Sequence, residues 1–186
     1  MGKKIAVIFP GIGYHSDKPL LYYSKKAATK HDYEIMEVTY DLSSIGNIKG
    51  DAEKTEQALQ SAYEQAAAQL YKIKFNEYDR VVFIGKSIGT AVAAKFNSAY
   101  MINAEQIVFT PIPQTFSYIE NCEGLLFHGS ADPFCPNDLI QDAGDALSLT
   151  YAIIPEANHS LETGDVVIDI ENLGIIIRSV EKILAL

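Results

Sequence analysis

The chain of 186 residues has no apolar stretch approaching a membrane span, no excess of basic residues and only two cysteines. A helix needs about 20 apolar residues to cross a bilayer; Ile5–Phe9, for comparison, has only strand length. The balance of 15 Lys and Arg against 24 Asp and Glu leaves a net charge of −9. Nucleic acid and anionic membrane surfaces reward clustered cations, so neither is expected as a partner. Lys3-Lys4 and Lys25-Lys26 read as solvated surface. Cys122 and Cys135 are too few for a disulfide framework and read as free thiols of a cytosolic protein. Neither they nor the four histidines have metal-ligand spacing, so no metal and no cofactor is expected. The opening Met-Gly-Lys-Lys before Ile5–Phe9 resembles the start of a signal peptide. Pro10 and Gly11 cut that run and no small-residue cleavage site follows, so it reads as a first strand. Repeats, linkers and low-complexity segments are absent. With 48% hydrophobic residues, the chain is expected to be one soluble domain over residues 1–186.

What is there centres on Val81-Val82-Phe83-Ile84-Gly85-Lys86-Ser87-Ile88-Gly89-Thr90-Ala91. An apolar run enters Gly-x-Ser-x-Gly and small residues with helical spacing follow, which predicts a buried strand, a sharp turn and a helix. Such a turn holds its serine in a strained conformation and presents the hydroxyl. Gly85 and Gly89 are required because a Cβ at either would strike neighbouring backbone. Ser87 is therefore the candidate nucleophile. A phosphate-binding loop is the rival for Gly85-Lys86-Ser87, but Arg80 stands where that motif needs its first glycine.

Around this centre, strands and helices alternate. After the first strand comes the turn Pro10-Gly11-Ile12-Gly13-Tyr14-His15. Asp17 as N-cap and Pro19 in the first turn predict a helix from Leu20 to about Lys30. Tyr33–Tyr40 alternates as a strand near a sheet edge. Leu59, Ala62, Tyr63, Ala66 and Leu70 form one stripe of a helix from Ala52 to Tyr71. Beyond the serine helix, which is predicted to end near Asn97, Gln106–Thr110, Gly124–His128 and Leu149–Ile154 read as strands. A helix ending near Leu147 separates the last two. The final helix is expected to bury Ile170, Leu173, Ile177, Val180 and Leu184. Six strands alternating with helices imply an α/β fold with one parallel, doubly wound sheet.

In such a sheet ligands bind beyond the carboxyl ends of the strands. Ser87, Asp132 and His159 each follow a strand there, in the order Ser, Asp, His. Their separations, 132 − 87 = 45 and 159 − 132 = 27 residues, each suffice for a strand–helix crossover. A neutral imidazole at His159 would take the serine proton, and Asp132 would orient that imidazole. The N–H of Ile88 and, from the glycine-bearing turn, that of Ile12 would stabilise an oxyanion. Tyr14 and His15 are candidate substrate contacts. His128 reads as a structural residue at a strand end. Gly85–Gly89, His128-Gly129-Ser130-Ala131-Asp132-Pro133 and Asn158-His159-Ser160 together resemble the α/β-hydrolases over about Lys4 to Leu184. The resemblance is to small bacterial enzymes without a cap domain, in the carboxylesterase and dienelactone-hydrolase branches. It departs from them in lacking the first two strands of the family sheet and, against dienelactone hydrolases, in carrying serine where those have cysteine. It implies a serine esterase acting on a small-molecule ester through an acyl-enzyme, with no cofactor. The groove is expected between Tyr14-His15, Pro111–Phe116 and the segment after His159. Thioesterase, amidase or peptidase chemistry uses the same parts, and a non-catalytic binding module could keep the fold.

Overall fold

Strands form where short runs can be covered on both faces, and the described residues supply six of them. They are β1 (Lys4–Phe9), β2 (Tyr33–Glu37), β3 (Arg80–Lys86), β4 (Glu105–Phe109), β5 (Gly124–Gly129) and β6 (Thr150–Ile154). All neighbours pair in parallel, in the order β2-β1-β3-β4-β5-β6. This computed structural model describes residues 2–46, 48, 50–119, 124–147 and 149–186, so Cys122 lies outside the described residues.

Parallel strands need crossovers, and helices α1 (Pro19–Lys30), α2 (Ala52–Leu70), α3 (Ile88–Tyr100), α4 (Asn137–Ala146) and α5 (Val166–Leu184) follow β1, β2, β3, β5 and β6, while β4 is followed by a short 3-10 turn, Pro113–Ser117. Successive strand residues point to opposite faces, so β1 serves two cores. Ile5, Val7 and Phe9 pack with Phe83, Leu59, Ala62 and Phe96 under α2 and α3. Ala6 and Ile8 pack with Val82, Ile84, Leu21 and Val180 under α1 and α5. Between β1 and β3 the chain reverses its direction of travel across the sheet, having laid β2 on the other side of β1. A crevice at the carboxyl ends of these two strands is the expected ligand position.

Four details differ from the sequence expectation. The strand through Tyr33 stops at Glu37, although the Val38 N–H still donates to Ile8 O at 3.0 Å. The N-cap of α1 is Lys18 rather than Asp17, because Pro19 occupies the first turn and the Asp17 carboxylate pairs with Lys25 at 3.4 Å. The serine helix runs three residues past Asn97, to Tyr100. In α5 the buried residues are Ile176, Val180 and Leu184, whereas Ile170 is 64% exposed. That helix is apolar around most of its circumference, so periodicity alone does not select the buried face.

Candidate active site

The turn between β3 and α3 brings Ser87 to φ 56°, ψ −125°. A side chain there costs about 1–3 kcal/mol and needs surroundings that fix it. The Ser87 N–H donates to Phe109 O at 3.0 Å, and its carbonyl accepts from the Thr90 N–H at 2.9 Å and the Thr90 hydroxyl at 2.6 Å. The two glycines are as constrained as the motif requires. A Cβ on Gly89 would stand 2.2 Å from Phe9 O, and one on Gly85 would stand 2.8 Å from Thr90 Cα. This close approach seats the start of α3 on the end of β1. Gly11 completes the contact, since a Cβ there would reach 3.1 Å from Ser87 Cβ.

His159 Nε2 lies 2.8 Å from Ser87 Oγ, and His159 Nδ1 lies 2.7 Å from Asp132 Oδ2. An ionised carboxylate can only accept, so Nδ1–H donates to Asp132 and Nε2 is left to accept the serine proton. The loops holding the two residues are tied together. Ala131 N–H donates to Ala157 O at 2.9 Å, and Glu156 N–H donates to Ser130 Oγ at 2.7 Å. Gly129 permits this, because a Cβ on it would meet Ala157 O at 2.2 Å. Asn158 turns the chain by accepting the Ser160 N–H at 2.7 Å.

Burial alone would raise the Asp132 carboxyl. The hydrogen bonds from His159 and from the Phe134 N–H (2.9 Å), with the nearby imidazoles, outweigh it and hold the acid below its ordinary value. Burial pulls His159 down, opposed by its bond to Asp132 and reinforced by the charge of Lys86. The arrangement therefore favours a neutral imidazole beside an ionised carboxylate. His128 is fully buried with Nδ1 3.6 Å from Asp132 Oδ2, and desolvation lowers its affinity for a proton. Cys135, also buried, is pushed up to about 12 by desolvation and then by Asp132, which leaves it a thiol.

Ser87, Ile88 and His159 line a groove of about 530 Å³ with Ile12, Ile48, Thr55, Ile112 and Phe134. As the first residue of α3, Ile88 has an N–H with no partner inside the helix. The turn holding Ile12 is closed by hydrogen bonds between Gly11 and Tyr14, of 3.0 and 3.2 Å, in which the Ile12 N–H takes no part. Tyr14 and His15 stand elsewhere. Tyr14 is 8% exposed, with its hydroxyl accepting from the Leu20 N–H, and His15 lines an adjoining cavity of about 450 Å³ beside Thr39 and Tyr40. The segment after His159 borders a third cavity. The wall expected from Tyr14-His15 is instead made by Ile48 and the start of α2, and by Phe134, whose ring centroid is 4.5 Å from that of His159. Only the Pro111–Phe116 segment contributes as expected, through Ile112, Pro113 and Gln114. Phe134 follows Asp132 by two residues, a proximity that could have signalled its place. Ile48 has no comparable sequence signal.

No family model matches the sequence, and no curated protein sequence matches it. Solved structures do. An α/β-superfamily protein from Xanthomonas campestris pv. campestris superposes with a TM-score of 0.67 at 16% identity, over 99% of this chain and 98% of that one. Est1E from Butyrivibrio proteoclasticus gives 0.70 at 10%, covering 98% and 87%. Esterase 2 from Thermogutta terrifontis gives 0.62 at 18%, covering 100% and 85%. The chain has the α/β-hydrolase fold.

Proposed function

We propose that this protein is a serine hydrolase that cleaves carboxylic esters, with Ser87 as nucleophile, His159 as base and Asp132 as its orienting acid. The observation that carries the reading is the unbroken series from Ser87 Oγ through the imidazole to Asp132, with links of 2.8 and 2.7 Å, opening on the groove. Ser87 Oγ attacks the ester carbonyl carbon as its proton passes to His159 Nε2. The carbonyl electrons move to oxygen, and the N–H groups of Ile88 and Ile12 stabilise the oxyanion, each contributing about 3–4 kcal/mol. Collapse expels the alcohol, which takes the proton from Nε2 and leaves the acyl group on Ser87. Water then attacks, giving its proton to Nε2, and release of the acid returns that proton to Ser87.

Asp51 is the only fixed charge among the described residues lining the groove, and the walls are largely aliphatic and aromatic. Such walls favour an uncharged acyl group. The esterase neighbours support the chemistry, and one of them, Est1E, has been solved with ferulic acid bound. Wild-type protein is expected to turn over p-nitrophenyl acetate and butyrate, and Ser87→Ala to reduce this to background. Equal turnover by the two proteins would refute the assignment.

A further inference from the structure

Lys86 is a buried cation for which the reaction above has no step. It ends β3, one residue before Ser87, and is 1% exposed. An ammonium is costly there unless its donors are satisfied. Nζ donates to Thr110 Oγ1 at 2.5 Å and to the backbone carbonyl of His159 at 2.7 Å, and lies 4.9 Å from the centre of the Tyr14 ring. The Thr110 hydroxyl donates to the same carbonyl at 3.1 Å. One junction thus joins the end of β3, the residue after β4 and the loop after β6. The His159 loop has its own Asx turn, but Lys86 and Thr110 attach it to the sheet carrying Ser87.

We propose that Lys86 is a positioning residue, clamping the His159 carbonyl against the end of β3 so that the imidazole is held on Ser87. The proposal rests on Ser87 being the nucleophile and His159 its base. It assigns a role to the first variable position of Gly-x-Ser-x-Gly, which the motif leaves open. It also explains why Tyr14 turns inward, where its ring covers the ammonium.

The clamp has an electrostatic side. The charges acting on Lys86 are those of Asp132 from the loop after β5 and Glu162 from the loop after β6; its own charge acts on His159, and the ring of Tyr14 from the turn after β1 lies beside it. His128 on β5 faces Asp132 and His159. Burial pushes Lys86 down to about 7 against the charges of Asp132 and Glu162. Below that pH the ammonium opposes protonation of His159, and above it the neutral amine still has hydrogens for both acceptors. Without Lys86, His159 should protonate at higher pH.

The test compares Lys86→Met, which removes donor and charge, with Lys86→Gln, which keeps a donor alone. Labelling by a fluorophosphonate is followed as a rate against pH, with far-UV circular dichroism as the check on folding. Lys86→Met is expected to label about 100-fold more slowly, the scale of a displaced catalytic group. Its acid limb should move to higher pH. Lys86→Gln should recover part of the rate while keeping the shifted limb. A folded Lys86→Met that labels within twofold of wild type with an unmoved limb overturns the proposal. If Lys86→Met does not fold, Thr110→Val decides, since it removes the second link and leaves the charge. About tenfold slower labelling with an unmoved limb is expected, and an unchanged rate in both Thr110→Val and Lys86→Gln overturns the clamp. The His159 ring titration, read by NMR in wild type and Lys86→Gln, needs no chemistry at Ser87. A wild type that is not labelled would therefore refute the nucleophile reading, while an unmoved ring titration would refute the electrostatic side of the clamp.

Discussion

Ser87 and His159 meet across 2.8 Å but are held in place by different means. The serine is fixed chiefly by its immediate neighbours, two glycines within two residues and a backbone conformation that the strand–helix junction imposes, with the end of β1 and Phe109 O as the remote supports. The histidine sits in a loop whose position depends on Lys86, Thr110, Gly129 and Asp132, each from another part of the chain. A position encoded locally, as at Ser87, should fail through steric damage to the fold. One encoded at a distance, as at His159, should fail through loss of alignment in a protein that remains folded.

The largest effect is expected on the histidine side. Asp132→Asn should leave the fold intact and lower kcat by about 10⁴-fold, because an amide permits the wrong imidazole tautomer. Steady-state kinetics alongside a thermal melt checks both halves. On the serine side, Gly89→Ala should destabilise the protein by about 3 kcal/mol or more in urea unfolding, since backbone oxygens rather than flexible side chains meet the new methyl group. A stable, fully active Gly89→Ala would break the contrast between the two regions.

A smaller effect separates Lys86 as a buried charge from Lys86 as mere packing. Its pKa falls from 10.5 in the open chain to about 7 in the fold, so above about 7 the unfolded state binds the extra proton. Stability should therefore rise with pH from about 7 to 9, by up to about 1.4 kcal/mol per unit, and the rise should vanish in Lys86→Met. The window stops at 9 because Cys135, raised to about 12, begins to work in the opposite direction there. The smallest effect is expected at Phe134, which is 38% exposed beside the His159 ring. Phe134→Ala should change KM by no more than about fivefold, the value of about 1 kcal/mol of aromatic contact.

The same contrast explains what could be read from the sequence. The elbow was legible because its constraints lie within five consecutive residues, and the parallel sheet followed from alternating strands and helices, although the strand order did not. Asp132 and His159 could be placed at the same sheet edge as Ser87 because each follows a strand. The Pro111–Phe116 wall was inferred, but the wall expected from Tyr14-His15 was misplaced, because Tyr14 turns inward onto Leu20, the core and the Lys86 ammonium, contacts that lie in other parts of the chain. Lys86 did leave a signal. It continues the face of Val82 and Ile84 at the end of a strand covered on both sides, where a charged residue requires a partner. Periodicity marked α5 as a helix, but its nearly all-round apolarity concealed which side packs.

Intact-mass spectrometry after fluorophosphonate treatment tests the central claim most directly, because it requires no knowledge of the substrate. One adduct on the wild-type chain and none on Ser87→Ala or His159→Ala is the expected result. Folded wild type without an adduct, or an adduct that persists in Ser87→Ala, would contradict an activated serine at the end of β3.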